Sequence, residues 1–178
     1  MTGPSADMLN RPWHSRFGLV YIVLFAVIAI DQLSKIAVRN ALPVGDSHLF
    51  WPGVLRFTHF ENTGAAGSSF EGWGRIFIPV AIAVVVWVVY AQRKGKLSNP
   101  WLVAGAGFFA GGAVGNAIDR LLFARVTDFL EWTVGGGIMN LADIAINIGV
   151  LLGIVGMLLD ARAAKKDPEP DIGEPREC

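Results

Sequence analysis

The sequence predicts an all-α membrane protein in which four transmembrane helices carry a small β-rich platform between the first and second helices. Hydrophobic residues make up 53% of the 178 residues and charged residues only 17%, whereas average soluble domains have roughly 45–50% and about 25%. Four apolar segments approach or exceed the roughly 20 residues that a helix needs to cross a hydrocarbon layer. The formal net charge is zero, so the composition gives no reason to expect nucleic acid as a partner.

The chain divides into a leader, a membrane domain and a tail. Residues 1–16 are polar, and we expect them to form a cytoplasmic leader ahead of a four-helix domain over residues 17–160. Residues 161–178 are charged and rich in proline, which predicts a disordered cytoplasmic tail. The four spans are predicted at residues 17–38, 76–91, 101–122 and 141–159.

The segment 42–73 differs in character from the spans around it. Prolines and glycines interrupt short aromatic runs, and residues 54–60 have the composition of a strand. The segment is too polar to cross the membrane, so we expect a sheet-like platform at the interface, where aromatic residues are favoured. Residues 61–68 at its end are small and polar, which suits close approach of the backbone to a ligand.

Glycine marks the faces on which the helices are expected to pack. Small residues recurring every three or four positions allow neighbouring membrane helices to approach closely. The third and fourth spans contain such a series: Gly107, Gly111, Gly115, Gly149, Gly153 and Gly156.

Basic residues predict the orientation in the membrane. Four spans place both termini on one side, which holds nine Lys and Arg residues against five in the opposite loops (Arg39, Arg56, Arg75, Arg120 and Arg125). Because Lys and Arg concentrate in cytoplasmic loops, the termini are expected in the cytoplasm. The platform and the polar stretch 115–143 then face outward, which in a bacterium is the periplasmic side.

Polar side chains within the spans group into helical faces near this outer side. Ionisable residues inside a membrane are costly and mark functional sites, and a bundle can satisfy them only by turning them toward one another. Asn62 reaches the same region from the platform. The three faces are Asp31 with Lys35, Asn116 with Asp119 and Arg120, and Asn140 with Asp143 and Asn147.

These residue types favour hydrolysis by paired carboxylates. Cys178 is the single cysteine, and the three histidines lie in the leader and the platform, so no serine or cysteine of the polar faces pairs with a histidine. No His/Cys cluster has the spacing of metal ligands, so we expect neither a metal nor another cofactor. Two aspartates held close together cannot both ionise, so one keeps a proton while the other activates water to attack a carbonyl. The candidate carboxylates are Asp31, Asp119, Asp128 and Asp143.

Five blocks of the sequence resemble, in order and spacing, the motifs of lipoprotein signal peptidase, also called signal peptidase II. The blocks are Asp31-Gln-Leu-Ser-Lys35, Asn62-Thr-Gly-Ala-Ala66, Gly115-Asn-Ala-Ile-Asp-Arg120, Val126-Thr-Asp-Phe129 and Asn140-Leu-Ala-Asp143. The resemblance spans about residues 17–160 and implies a four-helix aspartic protease of the bacterial inner membrane. Such an enzyme would remove the signal peptide from prolipoproteins just before the cysteine that carries a diacylglyceryl group, with no metal or organic cofactor.

The resemblance also implies roles for single residues. By position, Asp128 and Asp143 match the catalytic pair. Asp119 ranks below Asp128, because its expected pairing with Asn116 and Arg120 suits a structural ion pair. The positions that would hold the substrate, or the cyclic peptide inhibitor globomycin, are matched by Asn62, Asn116, Arg120 and Asn140. Supporting positions that orient the site are matched by Asp31, Lys35, Asp119 and Gly64. The diacylglyceryl chains of the substrate would stay in the membrane lipid beside the bundle.

Two residues depart from the family pattern. Gly67 stands where the family usually has an aromatic residue, and Met139 stands where it usually has phenylalanine. The second change replaces one large apolar side chain with another, which cores tolerate. The link from Phe129 to Met139 is short and rich in glycine, which leaves little chain for a flap over the site.

Two other classes of function remain as alternatives. A proton-coupled transporter or channel would carry ionisable residues along the whole membrane normal, but the second span has none at 76–91 and the fourth is apolar from 148 to 159. A membrane assembly factor that used the platform as a docking surface would not require two aspartates flanked by asparagines.

Overall fold

The computed structural model describes residues 13–64, 72–135 and 137–166, without the side chains of residues 13–17 and 166. Residues 1–12 of the predicted leader and residues 167–178 of the predicted tail lie outside this description, as does Gly67.

Four helices account for most of the described chain. They are α1 (Trp13–Ala41), α2 (Phe77–Arg93), α3 (Pro100–Phe123) and α4 (Leu141–Lys166). Each is long and apolar enough to cross a membrane, so the predicted class of four membrane helices with a small sheet is confirmed. Helix α4 runs to Lys166 rather than ending near residue 159, because alanine, arginine and lysine after Asp160 are good helix formers.

The platform is a four-stranded antiparallel sheet, and half of it comes from an unexpected part of the chain. Strands β1 (Ser47–Trp51) and β2 (Leu55–Asn62) lie between α1 and α2, as predicted. Strands β3 (Val126–Trp132) and β4 (Ile138–Met139) come from the link between α3 and α4 and extend the sheet in the order β1-β2-β3-β4. The β-branched and aromatic residues of β3 favour a strand, although the platform was predicted only at residues 42–73.

Helix α3 is the centre of the bundle. Half of its most apolar window is buried, compared with 22–28% in the other three helices. It packs extensively against α1 and α4, and α2 packs mainly against it. An apolar core of α1, α2 and α3 residues, including Val20, Val88 and Val103, lies at the end of the bundle remote from the sheet.

The glycines of α3 and α4 lie where helices touch. A Cβ atom added to Gly107 would lie 2.8 Å from Cβ of Val23, and one added to Gly111 would lie 2.8 Å from Cβ of Val27, both on α1. On the opposite side of α3, a Cβ atom on Gly112 would meet the carbonyl oxygen of Ala142 in α4. The bare backbone of α3 therefore allows α1 and α4 to pack on it from two sides.

Replacing Gly112 with alanine should destabilise the protein by about 1–3 kcal/mol, because the added methyl group has to displace the backbone of α4. Thermal unfolding in detergent would measure the loss as a lower Tm.

Gly153→Ala is the matched control, since a Cβ atom at Gly153 has nothing within 4 Å. Its Tm should stay at or slightly above that of the native chain, because alanine is the better helix former. Equal Tm values for the two variants would contradict close packing of α3 on α4.

Candidate active site

A cavity of about 350 Å³ opens where the sheet meets the ends of α3 and α4. Asp128 enters it from β3, and Asp143 enters it from the first turn of α4. The other polar side chains in its wall are those of Asn62, Asn116, Arg120, Asn140 and Asn147. Residues distant in sequence thus line one cavity, whereas Asp31, Lys35 and Asp119 lie outside its wall.

Asp128 is almost fully buried and is held by two asparagines. Asn62 Nδ2 donates to its Oδ2 at 3.0 Å, and Asn140 Nδ2 donates to its Oδ1 at 2.6 Å. The orientation of both amides is fixed, because Asn62 Oδ1 accepts from the Gly64 N–H and Asn140 Oδ1 accepts from the Asp143 N–H. Both asparagines therefore present only donors to Asp128, and neither can accept a proton from it.

An irregularity in the sheet aims Asp128 at the cavity. Phe57 pairs with Leu130 and Phe60 pairs with Asp128, so β2 advances three residues where β3 advances two. Such bulges bend a strand and redirect its side chains, often beside active sites. Pairing resumes at Asp128 itself, which leaves Asn62 two residues along β2 and within reach of the carboxylate.

Burial raises the pKa of the Asp128 carboxyl from 3.8 to about 6. The hydrogen bond from Asn62 opposes this effect, the negative charge of Asp143 adds to it, and the hydrogen bond from Asn140 and the charge of Lys35 lower the pKa again. Loss of solvent is the main cause, because a charged carboxylate is poorly stabilised in a medium of low polarity. Asp128 therefore keeps its proton to a higher pH than an ordinary aspartate, up to about pH 6.

Asp143 accepts two hydrogen bonds at the start of α4. Asn140 caps α4 and exchanges hydrogen bonds with Asp143: its N–H donates to Asp143 Oδ2 at 3.2 Å, while its side chain accepts from the Asp143 N–H at 3.0 Å. Asn116 Nδ2 donates to Asp143 Oδ1 at 2.8 Å. These donors and the positive end of the helix dipole stabilise a carboxylate in the first turn.

Beneath the cavity, Lys35 is completely buried among polar groups. Its Nζ lies 2.9 Å from Asp31 Oδ2 and 3.3 Å from Asp119 Oδ2, and both carboxylates are also fully buried. It also donates to Asn116 Oδ1 at 2.9 Å. That contact turns the Asn116 amide so that its N–H groups face Asp143, and it connects the buried ion pairs to the cavity.

Asp31 joins α1 to both of its neighbours. Its Oδ1 accepts from the N–H of Ala142 at 2.9 Å, which satisfies a donor in the first turn of α4. A Cβ atom on Gly115 would lie 2.6 Å from Asp31 Oδ2, so the carboxylate occupies space that only glycine leaves on α3.

The predicted pairing of Asp119 with Asn116 and Arg120 is wrong. Consecutive residues on a helix face about 100° apart, and Asp119 turns toward Lys35 and β3, where its Oδ2 accepts from the Thr127 N–H at 3.1 Å. Arg120 turns away and donates to the carbonyl oxygen of Gly64 at 3.0 Å, with its guanidinium 5.0 Å from the ring centre of Phe77. Gly64 thus enters the site through its backbone.

Several contacts in this region were missed. Gln32 donates to the Gly115 carbonyl at 3.0 Å, and Arg39 donates to Thr127 Oγ1 at 2.9 Å. Arg39 follows Lys35 by one helical turn, a spacing that the sequence analysis could have used. His59 of the platform is also buried, and its Nδ1 lies 2.7 Å from the Leu42 carbonyl oxygen. Among the described residues, no group of three or more His, Cys, Asp or Glu side chains is arranged to hold a metal ion.

Comparison with known proteins agrees with the motifs. The family model for signal peptidase (SPase) II matches residues 23–159. The chain belongs to the signal peptidase II family. It is 36% identical over 149 residues to a lipoprotein signal peptidase of Listeria monocytogenes, with 82% of this chain and 96% of the relative covered. A lipoprotein signal peptidase of Gloeobacter violaceus is 36% identical over 162 residues, which cover 90% of this chain and 88% of the relative.

Two solved bacterial membrane enzymes share the fold of this signal peptidase II chain. One, determined at 2.3 Å resolution by the in meso method, has a TM-score of 0.77 and 29% sequence identity over 85% of this chain and 93% of its own. The other, at 1.9 Å, has a TM-score of 0.72 and 31% identity over 80% and 94%. The predictions of the family, of an aspartic endopeptidase and of a multi-pass membrane protein are confirmed.

In this signal peptidase II fold, replacing Lys35 with methionine should destabilise the protein by about 3–5 kcal/mol, because two buried carboxylates lose their cation. A lower Tm in detergent would report the change.

The double variant Asp31→Asn with Lys35→Met should recover part of the lost stability, since it removes one of the two carboxylate charges that have lost Lys35. A Lys35→Met variant as stable as the native chain would show that the buried ion pairs do not hold the helices together.

Proposed function

We propose that this protein is the prolipoprotein signal peptidase of a bacterial inner membrane, and that Asp128 and Asp143 form its catalytic dyad. One observation carries the proposal: two aspartates from different elements line one cavity, where Asp128 is buried and Asp143 lies in the first turn of α4. The relatives named lipoprotein signal peptidase supply the substrate class. We place the scissile bond just before the diacylglyceryl-modified cysteine.

The environments of the two carboxyls suggest which one holds the shared proton. Burial favours the neutral form of Asp128, whereas Asp143 accepts hydrogen bonds from Asn116 and from the Asn140 N–H at the positive end of the α4 dipole. When two carboxyl groups in one site have surroundings that differ in this way, one serves as the acid and the other as the base. Asp128 is then the acid and Asp143 the base.

The reaction follows from this division. Asp143 takes a proton from a water molecule in the cavity, and the water oxygen attacks the carbonyl carbon that precedes the lipidated cysteine. Asp128 gives its proton to the carbonyl oxygen, which forms a tetrahedral intermediate with two hydroxyl groups. Asp143 then passes the proton that it took from water to the amide nitrogen, and Asp128 takes a proton back from one hydroxyl as the intermediate collapses. The C–N bond breaks to give a carboxylate on the signal peptide and an amine on the cysteine.

The walls of the cavity offer ways to hold the peptide. β4 is the last strand of the sheet, and Gly137, Ile138 and Met139 line the cavity, so an extended peptide could pair with this edge. A second groove of about 220 Å³, lined by α2, α3 and α4 residues, shares Asn116, Arg120 and Asp143 with the cavity. We propose that it leads the substrate in from the bilayer and leaves its diacylglyceryl chains among membrane lipid. Globomycin is expected to compete for the same residues.

The distribution of charge disfavours a proton channel. Among the described residues, the fully buried carboxylates are Asp31, Asp119 and Asp128, and all three lie at the sheet end of the bundle. A relay would need such groups along the whole membrane normal. With the termini cytoplasmic, as the basic residues predict, this end of the bundle is the periplasmic one.

Asp128→Asn and Asp143→Asn should each lower the rate of cleavage by at least about a thousandfold, because each removes a group that exchanges protons with water or substrate. The assay is cleavage of a diacylglyceryl-modified prolipoprotein by purified protein in detergent or lipid.

Asp46→Asn is the matched control, because Asp46 is an exposed aspartate on the platform. An inactive native chain would refute the peptidase assignment. Full activity in one of the two dyad variants would refute the pair, and Asp119 would be tested next.

The pH dependence should identify Asp128 as the acid. Because the pKa of Asp128 is raised to about 6, kcat/KM should fall as the pH rises through about 6 and the shared proton is lost. Asn62→Ala removes a hydrogen bond that lowers this pKa, so it should move the alkaline limb to higher pH. An alkaline limb that stays in place in Asn62→Ala would show that another group titrates.

A further inference from the structure

We propose that Arg39 is a positioning residue: its guanidinium fixes the start of β3 between α1 and α3 and thereby sets the place of Asp128. The inference rests on the proposed function of Asp128. Arg39 belongs to none of the five motif blocks, and from the sequence it is only one of the five cations on the outer side.

Three elements meet at the guanidinium of Arg39. Arg39 lies in the last turn of α1, and its Nη1 donates to Thr127 Oγ1 of β3 at 2.9 Å. The same nitrogen lies 3.6 Å from Asp119 Oδ1 of α3. The guanidinium carbon also lies 4.7 Å from the ring centre of Phe123, the last residue of α3. One side chain thus connects the end of α1, the end of α3 and the start of β3.

The residue before Asp128 is held twice. The Thr127 side chain accepts from Arg39, and its N–H donates to Asp119 Oδ2 at 3.1 Å. Asp119 divides its two oxygens between these contacts, with Oδ1 facing Arg39 and Oδ2 facing the β3 backbone. The position of the Asp128 backbone therefore depends on a carboxylate and a guanidinium that hold each other.

The contacts of Arg39 and Asp119 with Thr127, which we call the clamp, lie between a tight turn of the chain and an interruption in the sheet. Ala124, in the short turn from α3 to β3, has a φ of 60°, a left-handed conformation that disfavours a side chain. Arg39 contacts Phe123 before this turn and Thr127 after it. On the other side of Thr127, regular pairing with β2 is interrupted between Asp128 and Leu130.

The contacts require an arginine. A planar guanidinium can donate to a hydroxyl, face a carboxylate and lie over an aromatic ring at once, whereas a lysine ammonium is a point charge on a flexible stem. Arg125 offers a contrast at the same end of β3. It is half-exposed and pairs with Glu61 of β2 at 2.9 Å, a contact within the sheet.

The test compares Arg39→Gln and Arg39→Lys with Arg125→Gln, in the full-length chain with a diacylglyceryl-modified prolipoprotein. Arg39→Gln should lower kcat by about tenfold to a hundredfold with little change in KM, because a small displacement of a catalytic group slows chemistry more than binding. Arg39→Lys should recover part of the loss. Arg125→Gln should keep both constants within about twofold of the native values.

A double-mutant cycle with Thr127→Val isolates the contact. If the clamp acts through Thr127, Arg39→Gln should cost less in the Thr127→Val background than in the native chain. If Arg39→Gln does not fold, Arg39→Lys and Thr127→Val carry the cycle.

Several results would overturn the positioning role: additive effects in the cycle, an unchanged kcat in Arg39→Gln, or a loss that disappears when rates are referred to folded protein. An inactive native chain would instead refute the proposed function, so the two failures are distinguishable.

Discussion

The structure of the site depends on one buried cation. The Lys35 side chain has no contact with solvent, and its contacts with Asp31, Asp119 and Asn116 hold α1 against α3. Asp31 carries the connection on to the backbone of α4. Three helices are therefore held by a charge that would be very costly without its partners, and the aspartates are costly without it. Close packing of α1 and α4 on the glycines of α3 brings these groups within reach.

A chain of hydrogen bonds runs from Lys35 into the cavity, and each bond fixes which atoms donate and accept in the next. Lys35 donates to Asn116, which must then donate to Asp143, and Asp143 in turn holds Asn140 so that its amide donates to Asp128. The amide oxygen of each asparagine accepts from a fixed donor, so the amide nitrogen faces the neighbouring carboxylate and donates to it. A fully satisfied network of this kind specifies a single arrangement of its side chains. For this reason Asn116, Asp143, Asn140 and Asp128 act as one unit.

Much of this was predictable because it is local in sequence. Apolar length predicted the four helices, and a spacing of four residues predicted the Asp31–Lys35 pair. The contact between Asn62 and Asp128 joins residues far apart in the chain, and its geometry depends on a bulge that no local pattern announces. Asp119 misled because proximity in sequence suggested Arg120, whereas the helix turns the two side chains apart. β3 was missed because a strand buried on both faces lacks the alternation of a surface strand.

The fixed asparagine amides define what an inhibitor of the proposed dyad must look like. The two amides already donate to the oxygens of Asp128 and can accept nothing, so a ligand gains from Asp128 mainly by accepting its proton. Asp143, the base of the proposed dyad, binds best to a group that donates a hydrogen bond. A hydroxyl group meets both demands with one atom, whereas a bare amide N–H or a halogen meets only one or neither. Compounds that place a hydroxyl in this cavity should therefore bind more tightly than their deoxy counterparts.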